Sequence, residues 1–568
     1  MSPTGVYPDS LRALPLHQPH IYPPGAPHLF APNLAGRQRY CARRQDDVGT
    51  QLTTATQGIK RLFICLPVRS LAKLVIERLT SVDLPDCYTF PSSDDVDDYV
   101  AQLRHKNMAA EHVRFRSPAP QPVDSENTTM YLAFSALLVD PKSRAHVMDI
   151  WVNEGTGITT RHAEYCLNHF DELSSTSPLP QFNTPAARVP SHDPYSAEWI
   201  YRGASDLAGL QHYIARLATS EGPVEKAVMP EDVFIFPNGM NAIYNASEAL
   251  AINNPDTCVV TFGQSPIFVG DNGQRSYPSD WAVREDLDQL EQMLYRNEKQ
   301  IYAVFCELPS NIKLTSPNLK RIRDLAREYD LVVVCDETVG NFVNVDILPY
   351  VDIITTSLTK MFSGAANVTG GSVIINPNSR HYGKLLESIK SRYETVFCFP
   401  KDISVLRQNS ENLVERVQRA NRNTMKLLMN ILTTHHSIAR VNYPYYDPDF
   451  DNYDGVRRLN GGYGNVFSLV FRNRGTAEHF YDHLDVCKGP SFGTNFTIAI
   501  PFVQLSAYNE QEKLEKYGLP KHTIRISVGL EDYKLIRAKL KEALKEVEKF
   551  EVSPGSAYYA IRDQAIEE

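Results

Sequence analysis

From Asp232 onward, short unbroken apolar runs alternate with stretches that place an apolar residue at every third or fourth position. The runs VFIFP (233–237), TCVVTF (257–262), IYAVFCEL (301–308), LVVVC (331–335), VDIITTS (351–357) and GGSVIIN (370–376) are rich in β-branched residues and predict strands. Between them, GMNAIYNASEALAI has helical spacing, REDLDQLEQMLYRN puts Leu287, Leu290 and Leu294 on one face, and SPNLKRIRDLAREYD does the same with Leu319, Ile322, Leu325 and Tyr329. Ser316 and Pro317 suit the N-cap and first turn of that last helix. Strands apolar along their whole length, alternating with helices, predict an α/β unit with a mostly parallel sheet covered on both faces.

The flanks read differently. Two proline-rich stretches, SPAPQPVD from Ser117 and SSTSPLPQFNTPAARVPSHDP from Ser174, predict surface connections, because proline fixes φ and removes a ladder donor. Helical patterns lie between them in PKSRAHVMDIWVNE and TTRHAEYCLNHFDEL. The intervening Gly155-Thr156-Gly157 follows a helix rather than a strand, so it reads as a helix-to-helix turn and not as a phosphate loop. Past residue 395 a long helix (NLVERVQRANRNTMKLLMNILTTH) leads to strands GNVFSLVF and TIRISVG, then to a helix with Ile536, Leu540, Ala543, Val547 and Phe550 on one face. The expected division is an N-terminal extension over 1–190, a large α/β domain over 191–395 and a smaller α/β domain over 396–568.

Composition narrows the picture. A chain of 568 residues exceeds one ordinary domain. A net charge of −9 and a pI near 6.0 argue against nucleic acid or anionic membrane as partners. No apolar run approaches the roughly 18 residues of a membrane span, and the N-terminus lacks the basic and apolar regions of a secretory signal. The nine cysteines never form C-x-x-C, and Cys258, Cys306 and Cys335 sit inside strand-like runs. They read as reduced core thiols of a cytoplasmic protein that lacks a metal site.

In an open parallel sheet, ligands collect beyond the carboxyl ends of the strands. Asp336 follows LVVVC there, Lys360 follows VDIITTS after a short turn, and Asn238-Gly239-Met240 follows VFIFP while opening a helix. A helix N-terminus offers free N–H groups and a positive dipole end, which suit a phosphate. Ser357 and Thr359 add hydroxyls beside the lysine. Phosphate cradle, acid and lysine together are what pyridoxal 5′-phosphate requires: an anchored phosphate, a carboxylate against the ring nitrogen, and a Schiff-base lysine.

The segments SLTKMFSG…NVTGGS, CDETVGNFVNVDILPYVDII, CELPSN, FPNGMNAI and IRISVGLED resemble the cystathionine γ-synthase branch of the Cys/Met-metabolism pyridoxal-phosphate enzymes, in particular the long fungal form. WVNEGTGITTRHAEYCL and CKGPSFGTNFT are similar to that form too. The resemblance runs from about Trp151 to about Asp532 and implies the aspartate-aminotransferase-like fold type I, assembled as a homodimer or homotetramer. It implies Lys360 as cofactor lysine and proton shuttle, Asp336 as partner of the ring nitrogen, and Asn311 as partner of the phenolic oxygen. Gly239, Met240, Ser357, Thr359 and Thr338 would surround the cofactor, with Phe268 in FGQSPIFVGDN as the stacking aromatic. Arg525, helped by Ser491, would clamp the substrate α-carboxylate, and Tyr201 in EWIYRGASD would reach into the neighbouring subunit.

This chain departs from the family pattern where the second substrate should enter. Ile200 stands at the position of a phosphate-binding arginine, with Arg202 just beyond, and Ile312 replaces the proline after PSN. With Ala365 and Ala366, these residues predict a less polar mouth. The implied activity is γ-replacement on an O-acyl-L-homoserine, O-acetyl-L-homoserine being expected. The nucleophile is either L-cysteine, giving cystathionine, or a carbon acid such as acetoacetate. A γ-lyase or sulfhydrylase, and a non-catalytic regulatory protein of the same fold, stand as alternatives.

Overall fold

A computed structural model describes residues 64–79, 84–91, 94–116, 133–175, 197–253, 258–262, 276–279, 284–296, 301–393, 396, 398–506 and 511–553. Three sheets organise them. The first was not foreseen. Strands β1 (Asp86–Phe90), β2 (Ala110–Arg116), β3 (Ala133–Val139) and β4 (Ser174–Ser175) pair antiparallel in the order β1-β3-β2-β4. Helices α1 (Leu66–Arg78), α2 (Asp94–His105), α3 (Arg144–Glu154) and α4 (Thr160–Asn168) accompany them, and Phe90, Phe115, Phe134 and Trp151 share their core. Strand β2 alternates polar with apolar residues, and DCYTF (β1) is short and mixed, so neither stands out as a run.

The central sheet has seven strands in the order β5 (Val233–Phe236), β11 (Gly371–Ile375), β10 (Ile353–Thr356), β9 (Val332–Asp336), β8 (Ile301–Glu307), β6 (Cys258–Phe262), β7 (Ser276–Ser279). It is parallel except for β11, which runs antiparallel to both neighbours. Six of these strands were legible as apolar runs. The seventh, β7, reads SYPS, with no apolar run to mark it, and lies at the edge of the sheet, where a proline is tolerated. Because the pleat alternates, Val332 and Val334 of β9 face the core beneath α6 (Gly239–Asn253), whereas Val333 and Cys335 face the core shared with α5 (Ala197–Ala218), α7 (Arg284–Tyr295) and α8 (Leu319–Glu328). Each such side chain contributes about 1.5–3 kcal/mol by leaving water, so a strand buried on both faces must be apolar throughout. The backbone then leaves the sheet at Asp336 and Ser357, where polar residues begin.

Helix α9 (Tyr382–Tyr393) lies against α6. Helix α10 (Pro400–Asn409) packs along α5, and Ile403, Leu406, Leu413, Val417 and Ala420 enter the core of the central sheet, so that core draws on the chain well beyond residue 395. The third sheet, β12 (Ile438–Asn442), β13 (Val466–Phe471), β16 (Ile524–Ser527), β15 (Ile498–Pro501) and β14 (Cys487–Lys488), is antiparallel apart from β14–β15. Helices α11 (Leu413–Leu427), α12 (Arg474–His483) and α13 (Tyr533–Glu551) flank it; the long predicted helix is α11 followed by a π turn over Leu428–Leu432. No described helix is long and apolar enough to cross a membrane. Cys65, Cys87, Cys166, Cys306, Cys335, Cys398 and Cys487 are free thiols, with Cys306 and Cys335 buried in the central sheet.

Away from the strand ends that carry polar residues, Asp352 is fully buried and locks β10 to its surroundings. Its carboxylate accepts from Arg323 Nη2 (2.7 Å), Val333 N (2.8 Å) and Ser379 Oγ (2.6 Å). Removing it strands the buried Arg323 guanidinium, so Asp352→Ala should cost about 3–5 kcal/mol. Urea unfolding of the variant should show an earlier midpoint for the central unit, and an unchanged midpoint would refute the role.

Candidate active site

The polar residues converge because each sits at the carboxyl end of a central strand or in a loop that closes over those ends. Asn238 caps α6: its Oδ1 accepts from Asn241 N at 2.9 Å, so the N–H groups of Gly239 and Met240 head the helix. A Cβ added at Gly239 would lie 2.7 Å from Ser357 Cβ and 2.9 Å from its Oγ, so the close approach of these two segments requires glycine. Ser357 N donates to Thr338 Oγ1 (2.8 Å) and Thr338 N donates to Asp336 Oδ1 (2.8 Å), tying the ends of β9 and β10 into one polar surface. Burial pushes the Asp336 carboxyl up, while the Thr338 hydrogen bonds and the charge of Lys360 pull it down. The Thr359 hydroxyl donates to Gly370 O (3.2 Å) and accepts from Gly370 N (3.1 Å), closing the lysine loop.

Lys360 Nζ donates to Ser491 Oγ at 3.1 Å and lies 4.7 Å from the centre of the Phe492 ring. Ser491 and Phe492 belong to the third sheet's 489–495 loop, so the lysine spans two units of the fold. A Cβ at Gly493, where φ is +68°, would meet Met361 N at 2.5 Å, so this contact too depends on glycine. Arg416 on α11 fastens the two loops. Its Nη1 donates to Met361 O (3.0 Å) and Asn495 Oδ1 (3.1 Å), and its Nη2 to Phe362 O (2.7 Å) and Asn409 O (2.8 Å). Neither Arg416 nor Phe492 was legible as a site residue; a lone arginine on a charged helix and an aromatic in a loop carry no local signal.

Arg525 on β16 is buried at 2% exposure. Its Nη1 donates to Asn311 Oδ1 (2.8 Å) and its Nη2 to Pro490 O (2.5 Å) and Ser491 O (3.2 Å), with the Phe492 and Phe502 rings 5.1 and 4.8 Å away. Burial pushes the guanidinium down to about 9, still above neutral pH, so it meets a carboxylate as a cation. Because Asn311 accepts from Arg525 through its oxygen, its amide N–H groups are left to act as donors.

Ile312, expected at a substrate mouth, is instead fully buried with Val503, Leu514 and Leu519. Its φ of +90° is one that proline, held near −65°, cannot adopt. The backbone after Asn311 therefore takes a path closed to the family's proline, held by the Ser468 Oγ donor to Ile312 O (2.8 Å). Ala366 likewise packs inward with Cys487 and Ile498. Both leave the apolar-mouth expectation without their support. Phe268 lies outside the described residues, as does the side chain of Tyr201, whose backbone belongs to α5. Arg202 is exposed, with Nε 3.9 Å from Asp206 of the same helix.

The donor set fits pyridoxal 5′-phosphate: a helix N-terminus narrowed to glycine against a serine, a carboxylate in a desolvated setting, and a lysine a short loop away. A fold of this topology with a lysine, an acid and a phosphate cradle at the strand ends defines a pyridoxal-phosphate enzyme of fold type I. Residues 221–545 match the model of the Cys/Met metabolism PLP-dependent enzymes, and the chain belongs to that family. It is 37% identical over 538 residues to a cystathionine gamma-synthase-like protein of Aspergillus thermomutatus, covering 93% of this chain and 94% of that one. To the cystathionine gamma-synthase of Neurospora crassa it is 40% identical over 311 residues, 53% of this chain and 50% of the relative. Among solved structures, cystathionine gamma synthase of Xanthomonas oryzae in complex with cystathionine superposes with a TM-score of 0.52 at 18% identity, over 65% of this chain and 92% of that one. A Campylobacter jejuni structure bearing an N′-pyridoxyl-lysine-5′-monophosphate superposes with a TM-score of 0.51 at 20% identity, over 60% of this chain and 86% of that one.

Lys360→Ala should leave a protein that still binds the cofactor without the covalent link and has lost turnover. Absorbance after borohydride reduction reads the link, and near-native activity in this variant would sink the assignment.

Proposed function

We propose that this enzyme performs γ-replacement on an O-acyl-L-homoserine, with O-acetyl-L-homoserine as the acyl donor. One observation carries the reading: the Lys360–Ser491–Arg525–Asn311 chain of contacts, which joins a mobile proton carrier to a buried carboxylate receptor. Pyridoxal 5′-phosphate supplies an electron sink that stabilises negative charge on the substrate carbons. Arg525, buried at 2% exposure, binds the α-carboxylate, and a planar fork suits two carboxylate oxygens. Lys360 takes a proton from Cα and relays protons at the neighbouring carbon so that the γ-acyloxy group can leave. Ser491 Oγ holds the lysine nitrogen in place between transfers. Asp336 keeps a negative charge opposite the ring nitrogen, and Asn311 donates toward the phenolic oxygen while orienting Arg525.

Two nucleophiles compete for the second half-reaction. L-cysteine is supported by the 40% identity to the N. crassa cystathionine gamma-synthase, which falls within half of the chain. A carbon acid such as acetoacetate is supported by the Phe492 and Phe502 rings beside Arg525, which offer it apolar surface. A second amino acid brings an ammonium and a carboxylate that need partners when buried; a carbon acid brings fewer charges. We favour the carbon acid.

Incubating the enzyme with O-acetyl-L-homoserine and equal concentrations of L-cysteine and acetoacetate, then resolving products by mass, decides between them. The carbon-linked product is expected, and cystathionine as sole product would reject the carbon acid. No product of either kind, with intact acyl donor, would reject γ-replacement. We also propose a homodimer or homotetramer, with Tyr201 directed to the neighbouring subunit, in the cytoplasm. Light scattering should give at least twice the 64.1 kDa chain mass, and a fully active monomer would refute the assembly.

A further inference from the structure

The turn Glu154-Gly155-Thr156, between α3 and α4 of the N-terminal four-stranded unit, is held tightly on its own side. The Tyr99 hydroxyl of α2 lies 2.5 Å from Glu154 Oε2 and 2.9 Å from Thr156 Oγ1. Two residues on, a Cβ at Gly157 would lie 2.3 Å from the Trp151 indole. On its other side the turn meets the first residues of α6. Asn238 Nδ2 donates to Gly155 O at 2.7 Å, and Asn241 Nδ2 donates to Glu154 O at 3.0 Å. The last carbonyls of α3, which have no partner within their own helix, are thereby satisfied by the side-chain amides that open α6. Gly155 has φ of +65°, and a Cβ there would sit 2.3 Å from Asn238 Oδ1 and 2.9 Å from Asn241 N, the two atoms of the α6 cap. From behind, Asn238 O is so close to Gly371 that a Cβ on that glycine would lie 2.3 Å away. The cap residue is thus fixed from three directions, and one of them is a different unit of the fold.

We infer that the N-terminal unit sets the affinity of the cofactor site, with Asn238 and Gly155 as positioning residues that hold the N–H groups of Gly239 and Met240 in place. This rests on the reading of those groups and Ser357 as the phosphate cradle. The physical reason is preorganisation. A helix end whose cap is free to turn must be ordered when the anion binds, whereas a cap already clamped by two amide hydrogen bonds has lost that freedom on folding. Asn238 serves twice: its oxygen caps α6 and its nitrogen reaches the neighbouring unit. Serine at 238 retains a capping oxygen but cannot reach Gly155 as a donor, so Asn238→Ser separates the contact between units from the cap itself. Gly155→Ala attacks the same junction from the other side, from a residue that touches no cofactor or substrate.

The test titrates apoenzyme of the full chain with pyridoxal 5′-phosphate, following quench of intrinsic fluorescence, with Ser357→Ala as the reference for a weakened cradle. Asn238→Ser should raise the dissociation constant about fivefold, the loss of one net hydrogen bond. Gly155→Ala should raise it by at least as much. At saturating cofactor, kcat should return to the wild-type value in both; an apo melt that falls while the cofactor constant stays at the wild-type value would show loss of packing alone and overturn the coupling. If Gly155→Ala does not fold, Asn238→Ser and Asn241→Ala carry the test. Wild-type affinity in the junction variants with Ser357→Ala weakened overturns the coupling and leaves the cradle standing. Wild-type affinity in Ser357→Ala as well removes the cradle, and the inference with it.

Discussion

A guanidinium buried to 2% exposure needs hydrogen-bond partners, and Arg525 finds them in a way that joins three separate elements while leaving donors for a ligand. Three of its donors go to Asn311 after β8 and to Pro490 and Ser491 in the third sheet's loop. The same residues are those a substrate and cofactor need: Asn311 is oriented as a donor, Ser491 is placed under Lys360, and the cation is held in a setting of low dielectric, where its attraction for a carboxylate is strong. With Lys360–Ser491 and Ser468–Ile312, this buried charge is one of the polar contacts that close the third sheet against the strand ends of the second.

The remaining attachments repeat the same logic with backbone carbonyls. Arg416 ties Met361, Phe362, Asn409 and Asn495 together, so the loop carrying Lys360 and the loop carrying Ser491 are fastened to one another. Asn238 and Asn241 do for α3 and α6 what Arg416 does for these loops. In each case a side chain with several donors satisfies carbonyls that secondary structure leaves unpaired at element ends. Glycines at 155, 239 and 493 mark where the segments come too close for a Cβ.

Much of this was legible along the chain. Runs such as LVVVC and IYAVFCEL announced strands because a strand buried on both faces has no polar position to hide it. Asp336, Ser357 and Lys360 stood out because they end such runs. The antiparallel sheet of the N-terminal unit was not legible. AEHVRFR alternates without strong β-branched enrichment, and its partner strand AFSALLV reads equally well as a helix segment. Ile312 was misplaced at a mouth for a related reason: its neighbour Asn311 is a site residue, but a φ of +90° turns the next side chain into the core. Gly155-Thr156-Gly157 was rightly taken as a turn between helices, yet its contact with the α6 cap had no trace in spacing.

The sequence by itself determined the central sheet, the strand ends at which polar chemistry gathers, and the set of residue types that a pyridoxal-phosphate enzyme requires. Those follow from local periodicity and from where apolar runs stop, both one-dimensional properties. Only the tertiary structure decided that Lys360 rests on Ser491 and Phe492, that Arg416 binds their loops together, and that Gly155 touches the cap of α6 from 83 residues away. Such contacts join segments remote along the chain through single hydrogen bonds and close backbone approaches. No periodic pattern encodes them, since each depends on where two independently folded surfaces meet.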